Sequence, residues 1–185
     1  MKKTFLVRHG QSTANIGEPS ANPGAAVLSE TGHMQARELA ENFNKKPDLI
    51  VVSSYIRTMM TAMPLIHKFP KVSVETWEDV REFTPWSYKF YSGASFAQKE
   101  LFKKEYFEKN DLDFVHGEGA ESFNQLMTRV DATLKKIDKN KFTVIFTHND
   151  FIQATLMRLN NLPITIETFR SMKEIKNTEI VEILD

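Results

Sequence analysis

Four short apolar runs punctuate the chain: Thr4–Val7, Leu49–Val52, Val72–Val74 and Thr143–Phe146. Each is too short for a helix, rich in Val, Ile or Phe and bounded by polar residues, the pattern of a buried strand. Thr178–Leu184 predicts a fifth strand. Helical spacing fills the gaps between them. Ala36, Leu39, Ala40 and Phe43 share one face, and Phe123, Leu126, Met127, Val130, Leu134 and Ile137 form a longer stripe. Ser122 and Gln125 fit a capping box at the start of that stripe. A further helix is predicted from Asn149 to Leu159, stopping at Asn160-Asn161 ahead of Pro163. Strands alternating with helices predict an α/β fold, a three-layer α/β/α sandwich with a largely parallel central sheet. In such sheets chemistry gathers at the carboxyl ends of the strands.

Composition narrows the function. The 185 residues suit one domain, with 41% apolar and 26% charged residues, and can bury a core without cross-links. Lys plus Arg equals Asp plus Glu at 24 each, so a polybasic nucleic-acid binder is disfavoured. The chain has no cysteine, which excludes disulfides, thiolate nucleophiles and cysteine-based zinc sites. Arg8 interrupts the first apolar run too early for a signal-peptide core. No later run reaches the roughly 20 residues of a membrane span. A soluble, cytoplasmic protein with no membrane or nucleic-acid partner is expected.

Three strand ends carry the candidate chemistry. The first strand leads into Arg8-His9-Gly10, the second into Ser53 through Arg57, and the fourth into Thr147-His148-Asn149. Two arginines and two histidines are thus delivered beside helix N-termini, whose free N–H groups favour anions. Guanidinium groups match phosphate oxygens with paired hydrogen bonds. Any one of these residues alone is weak evidence, and a lone histidine after a strand is more often structural. Their joint placement points to a phosphate site.

The same residues resemble a known family, the histidine phosphatase superfamily of phosphoglycerate-mutase-like proteins. Leu6 to Asn15 resembles its RHG-[EQ]-[ST]-x-x-N segment, and Leu28 to Ala36 its L-[ST]-x-x-G-x-x-Q-A helix start. Ser53 to Ala62 resembles its S-x-x-x-R-[AT]-x-x-T-A element. Gly119 to Ser122 with Arg129, Phe146-Thr147-His148 and Asn177 to Ile180 resemble three later elements, all in the family's order. The resemblance implies that His9 attacks phosphorus and becomes phosphohistidine. It implies that Arg8, Arg57 and His148 hold the nonbridging oxygens, and that no metal or other cofactor is needed. Ser12, Asn15 and Asn149, the last through its backbone N–H, are substrate-binding candidates. A carboxylate after the third strand would protonate the leaving oxygen. Glu75, Glu78, Asp79 and Glu82 are available. Glu82 is chosen by its distance past Arg57 and the family's L-x-E pattern.

The chain departs from the family in three places. Residues 16–24 replace the usual substrate loop, Phe83-Thr84-Pro85-Trp86 replaces a glycine-rich segment, and Asn149-Asp150 stands where small residues usually follow the second histidine. Asp150 is accordingly placed near the mouth. The aromatic and lysine-rich stretch 83–118 reads as a lid-like insertion on a single domain spanning 1–185. Phe96, Leu101, Phe102 and Tyr106 predict one short helix in it, packing on the domain, while Lys89, Lys99, Lys103 and Lys104 suit an anionic substrate. His33, His67 and His116 match no catalytic position, although His116 lies within reach of the site on such a lid. The leading reading is a phosphatase for small phosphorylated metabolites. A phosphoglycerate mutase, a protein phosphatase and a non-catalytic phospholigand-binding module are the rivals. Oligomeric state is left open.

Overall fold

A computed structural model describes residues 3–18, 22–91 and 94–183 of the chain. Residues 1–2, residues 19–21 of the substrate loop and Leu184 of the fifth predicted strand lie outside the described residues, as do the side chains of Phe96 and Lys99.

Five strands form one sheet: β1 (Thr4–Arg8), β2 (Leu49–Val52), β3 (Ser73–Thr76), β4 (Thr143–Thr147) and β5 (Ile180–Ile183). Their order is β3-β2-β4-β1-β5. β1, β2, β3 and β4 run parallel, and β5 pairs antiparallel with β1. Near-continuous apolar composition suits the three inner strands, because helices cover both of their faces. Alternation then sorts the side chains. Val7, Ile50, Val52, Val144 and Phe146 meet α1 (Glu30–Asn42) and α2 (Ile56–Lys68) on one face. Leu6, Val51 and Ile145 meet α5 (Phe123–Lys136) and α6 (Asn149–Leu159) on the other. α3 (Tyr88–Tyr91), α4 (Phe96–Glu108) and α7 (Ile166–Ser171) complete the helices. The result is the expected three-layer sandwich.

Local signals explain the boundaries. Ser122 caps α5 and Gln125 reaches back to it, the expected capping box. Ser29 caps α1 by accepting from the Gly32 N–H at 3.1 Å. α6 matches the expected range and stops before Asn161, which takes a left-handed φ of 52°. A Cβ on Gly10 would stand 2.7 Å from the Gly32 carbonyl oxygen, and one on Gly32 would stand 2.0 Å from that of Gln11. Both positions therefore need glycine for the start of α1 to close against the turn after β1.

Three expectations change. The third strand is shifted to Ser73–Thr76 and exposed, because it is the sheet edge and, among the described strands, pairs with β2 alone. The fifth starts at Ile180, since Thr178 sits at φ 59° in a turn. The insertion holds two helices rather than one. On α4, Tyr106 and Phe107 enter the core whereas Leu101 is 57% exposed, so the apolar face runs differently from the one predicted.

Candidate active site

The carboxyl ends of all four parallel strands converge. The His9 N–H donates to the Thr147 carbonyl at 3.0 Å, tying β1 to β4. The Trp77 N–H donates to the Val52 carbonyl at 2.9 Å, and Thr147 Oγ1 donates to the Val80 carbonyl at 2.6 Å. These cross-links bring Arg8, His9, Arg57, Glu82 and His148 to one basin. Arg8, His9, Arg57 and His148 are buried, with exposures of 7%, 3%, 6% and 0%.

His9 is held in one tautomer. Its Nδ1 lies 2.7 Å from the Gly10 carbonyl, which only accepts, so Nδ1 carries the proton. Nε2 keeps its lone pair and accepts from Arg57 Nε at 3.1 Å. A second Arg57 nitrogen, Nη2, lies 3.2 Å from Nδ1 of His148, and Ser53 Oγ lies 2.8 Å from its Nε2. Arginine only donates, so His148 Nδ1 accepts and Nε2–H points to Ser53. Burial, then the Arg57 charge, holds both imidazoles well below their ordinary range. Two neutral rings, 5.1 Å apart, therefore flank one guanidinium. Arg57 is fixed in turn by the Pro23 carbonyl at 2.7 Å and lies over the Tyr55 ring at 4.8 Å.

Arg8 is clamped from behind. Its Nη1 donates to Glu174 Oε1 at 2.8 Å and to the Ile175 carbonyl, while Nε is buried with no partner among the described residues. A buried guanidinium N–H without an acceptor is costly. It suits a ligand that brings oxygen atoms.

Glu82 completes the basin. Its Oε1 accepts from the backbone N–H groups of Phe83 and Asp150, each at 3.1 Å. Burial, then the Asp150 carboxylate, pushes the Glu82 carboxyl up to about 8. It can thus hold a proton at neutral pH. The backbone that presents it is braced by Glu121, which is 4% exposed. Glu121 takes two bonds from Arg81, at 2.9 and 3.2 Å, and two from Arg129, at 2.9 and 2.7 Å. Arg129 also grips the carbonyls of Asp79 and Arg81.

Two of the expected ligands bond to each other, and the third keeps its backbone N–H. Asn15 is exposed on a short 3-10 helix, and its Oδ1 accepts from both the N–H and the Oγ of Ser12, at 2.9 and 3.0 Å. The Ser12 hydroxyl is thus turned to Asn15. The Asn149 side chain points to Asp150, Gln153 and the Ile175 N–H, leaving its backbone N–H at the start of α6 as the group suited to an anion. His116 stays in the aromatic cluster of the insertion, beside Phe90, Phe102 and Phe114.

Sequence reasoning missed several supports. Ser53 orients His148, Thr61 Oγ1 accepts from the Gly10 N–H at 3.0 Å, and Asn177 Nδ2 donates to the His9 carbonyl at 2.9 Å. The first two lie inside the motif around Arg57, and Asn177 in the final-strand motif. Glu174 has no such signal. Two cavities are lined by neighbours of the basin residues. One of about 270 Å³ lies between Pro23, Tyr55, Arg81, Trp86 and Tyr88. The other, of about 500 Å³, is bounded by Lys103, Lys104, Asp150, Arg170 and Glu174. Among the described residues, no helix is long and apolar enough to cross a membrane.

The chain matches the family model of the histidine phosphatase superfamily, branch 1, over residues 4–184, and it belongs to that family. It is 28% identical over 182 residues to phosphoglycerate mutase-like protein 4 of Arabidopsis thaliana, covering 95% of this chain and 76% of that one. It is 26% identical over 161 residues to the metal-independent phosphoserine phosphatase of the same plant, covering 83% and 67%. In fold it resembles the phosphoserine phosphatase of Entamoeba histolytica, solved in complex with 3-phosphoglyceric acid. That likeness has a TM-score of 0.79 at 21% identity and covers 100% of this chain and 91% of the other.

Proposed function

We propose that the protein is a metal-independent phosphatase that hydrolyses phosphate monoesters of small molecules through a phosphohistidine on His9. The observation that carries this reading is the tautomer of His9: Nδ1 is fixed by the Gly10 carbonyl, and the Nε2 lone pair faces Arg57 in a buried, cationic basin. In the first step Nε2 attacks phosphorus and the bond to the leaving oxygen breaks. Arg8, Arg57 and the N–H at the start of α6 stabilise the charge on the nonbridging oxygens. The two guanidinium groups supply charge that a metal provides elsewhere. A bound phosphoryl dianion also favours a proton on His148 Nδ1, converting it from an acceptor to a donor. Glu82 gives its proton to the departing alkoxide and then takes one from the water that cleaves the phosphohistidine. The names of the two plant relatives support phosphoester chemistry on small metabolites. A cytoplasmic location fits that substrate class.

The rival mutase uses the same first step and returns the phosphoryl group to a substrate oxygen instead of water. The test is to incubate the metal-free protein with p-nitrophenyl phosphate and a panel of phosphometabolites, including 3-phosphoglycerate with 2,3-bisphosphoglycerate. Phosphate release that disappears in His9→Ala supports the phosphatase. Isomerisation without phosphate release transfers the assignment to the mutase, and full activity in His9→Ala removes the phosphohistidine.

A further inference from the structure

Arg8 is gripped at one nitrogen and left open along one edge. Its Nη1 carries two hydrogens and has two acceptors: Glu174 Oε1 at 2.8 Å and the Ile175 carbonyl. Its Nε is buried with no partner among the described residues. A planar guanidinium presents Nε–H and the adjacent Nη2–H side by side, a pair that matches two oxygens of one phosphoryl group. Filling Nη1 removes the alternative fork through Nη1 and Nη2. From this geometry we infer that Glu174 is a positioning residue for Arg8: by occupying Nη1 it fixes the guanidinium so that the Nε edge is the one left for phosphoryl oxygens. The inference rests on the phosphatase reading for what Arg8 binds, and goes beyond it in saying what holds Arg8 to that task.

Glu174 is not an isolated contact. It opens a run, residues 174–179, that lies along the end of β1. The Thr178 N–H donates to the Arg8 carbonyl at 3.0 Å, the Arg8 N–H donates to the Glu179 carbonyl at 3.3 Å, and Asn177 Nδ2 donates to the His9 carbonyl at 2.9 Å. The run is tied in turn to α6. The Ile175 N–H donates to Asn149 Oδ1 at 3.0 Å, and Gln153 Nε2 donates to the Met172 and Lys173 carbonyls at 3.3 and 3.0 Å. One segment thus fixes the backbone of Arg8 and His9 and the head of Arg8, and α6 holds that segment in place. Two other roles would explain the ion pair. The first is stability, but the Glu174 side chain is 74% exposed, and a pair with so exposed a partner stabilises little. The second is a brake on the positive charge of the basin, since a carboxylate beside Arg8 weakens the attraction for an anion. Positioning and braking predict opposite signs when Glu174 is removed.

The test uses a ligand with no leaving group. Orthovanadate is titrated calorimetrically into the native chain, Glu174→Ala and Glu174→Gln, and the melting temperature of each is recorded. Glu174→Ala is expected to bind orthovanadate about tenfold more weakly, because the fork is no longer held in register. Glu174→Gln keeps an oxygen that accepts from Nη1 and is expected to bind within about threefold of the native chain. Both should melt close to the native temperature. Tighter binding in both variants is the signature of a brake and overturns the inference. So does a lower melting temperature of Glu174→Ala with unchanged affinity, the signature of a purely structural contact. A second variant supports the first. Arg8→Lys has no fork to position, so adding Glu174→Ala to it should cost no further affinity, and losses that simply add overturn the inference. If Arg8→Lys does not fold, the two Glu174 variants decide. A native chain that binds no orthovanadate overturns both the inference and the phosphatase reading. A chain whose affinities shift as expected but whose phosphomonoester hydrolysis survives His9→Ala keeps the Arg8 clamp and loses the phosphohistidine, so the two failures are distinguishable.

Discussion

The basin at the strand ends and the insertion above it are built on opposite principles. In the basin, polar side chains are buried and cross-braced. His9, Arg57, His148 and Ser53 form one chain of hydrogen bonds, and Arg8 is held by Glu174 from outside. In the insertion, Phe83, Tyr106 and Phe107 are buried and the described charged side chains face water. Tyr106 and Phe107 anchor α4 to the core, whereas Lys103 and Lys104 are exposed and α4 shows no marked apolar face beyond that anchor. Its N-terminus is closed by a capping box of Ser95 and Gln98 instead. The difference teaches that the proposed phosphate site is braced by its own side chains, while the charges of the insertion stand in solvent. Preorganised donors act without reorganising in the reaction, which is where electrostatic catalysis gains most.

Substitutions that break this contrast should fall in a definite order. His9→Ala should lower phosphomonoester hydrolysis by about 10⁴-fold or more with the fold unchanged, as measured by phosphate release and circular dichroism. Arg57→Lys keeps the charge but removes the fork that reaches both histidines. Its kcat should drop about 10²- to 10³-fold, and a loss below tenfold would show that charge alone suffices. Glu121→Ala leaves Arg81 and Arg129 without their shared carboxylate and should cost about 3–5 kcal/mol in urea unfolding.

Glu82→Gln sharpens the comparison through pH. The folded-state value of about 8 lies above the ordinary value of 4.5, so the folded chain holds this proton longer than the unfolded one. Stability from this group is complete below pH 4.5 and is lost as pH rises to about 8. Glu82→Gln should therefore raise the melting temperature relative to the native chain most strongly near pH 8, and little near pH 4. The histidines act in the other direction. Both are held neutral, so their contribution is present above the ordinary value of 6.5 and is lost as pH falls below it. His148→Gln should flatten that acid-side loss. The smallest effect belongs to the insertion. Replacing Lys89, Lys99, Lys103 and Lys104 together by Gln should raise KM a few-fold and blunt its salt dependence at unchanged kcat with p-nitrophenyl phosphate. An unaltered KM for every phosphorylated substrate removes the electrostatic role.

Much of this was legible along the chain, for particular reasons. Buried parallel strands carry unbroken apolar runs, so β1, β2 and β4 stood out within one residue of their observed ends. β3, expected at Val72–Val74, lies at Ser73–Thr76, because an exposed edge strand has only a short apolar stretch to mark its ends. Arg8, His9, Arg57 and His148 could be grouped because each lies at or shortly after the end of a strand, and a parallel sheet brings such positions to one edge. The Asn15 and Ser12 side chains could not be placed this way. In a short 3-10 turn they bond to each other rather than outward.

The sequence by itself determined which chemistry is possible: no thiol, two histidines and two arginines after strands, a glycine where α1 must approach the first turn. Those are properties of residue type and of spacing within one element. Tertiary structure alone decided what the His9 Nε2 lone pair faces, which carboxylate steadies Arg8 and which neighbour bonds Glu82. Glu174 lies 166 residues from Arg8 and Asp150 lies 68 from Glu82. Contacts at such separations follow from how the strand ends meet, and desolvation depends on what is packed around a group, which no local pattern records.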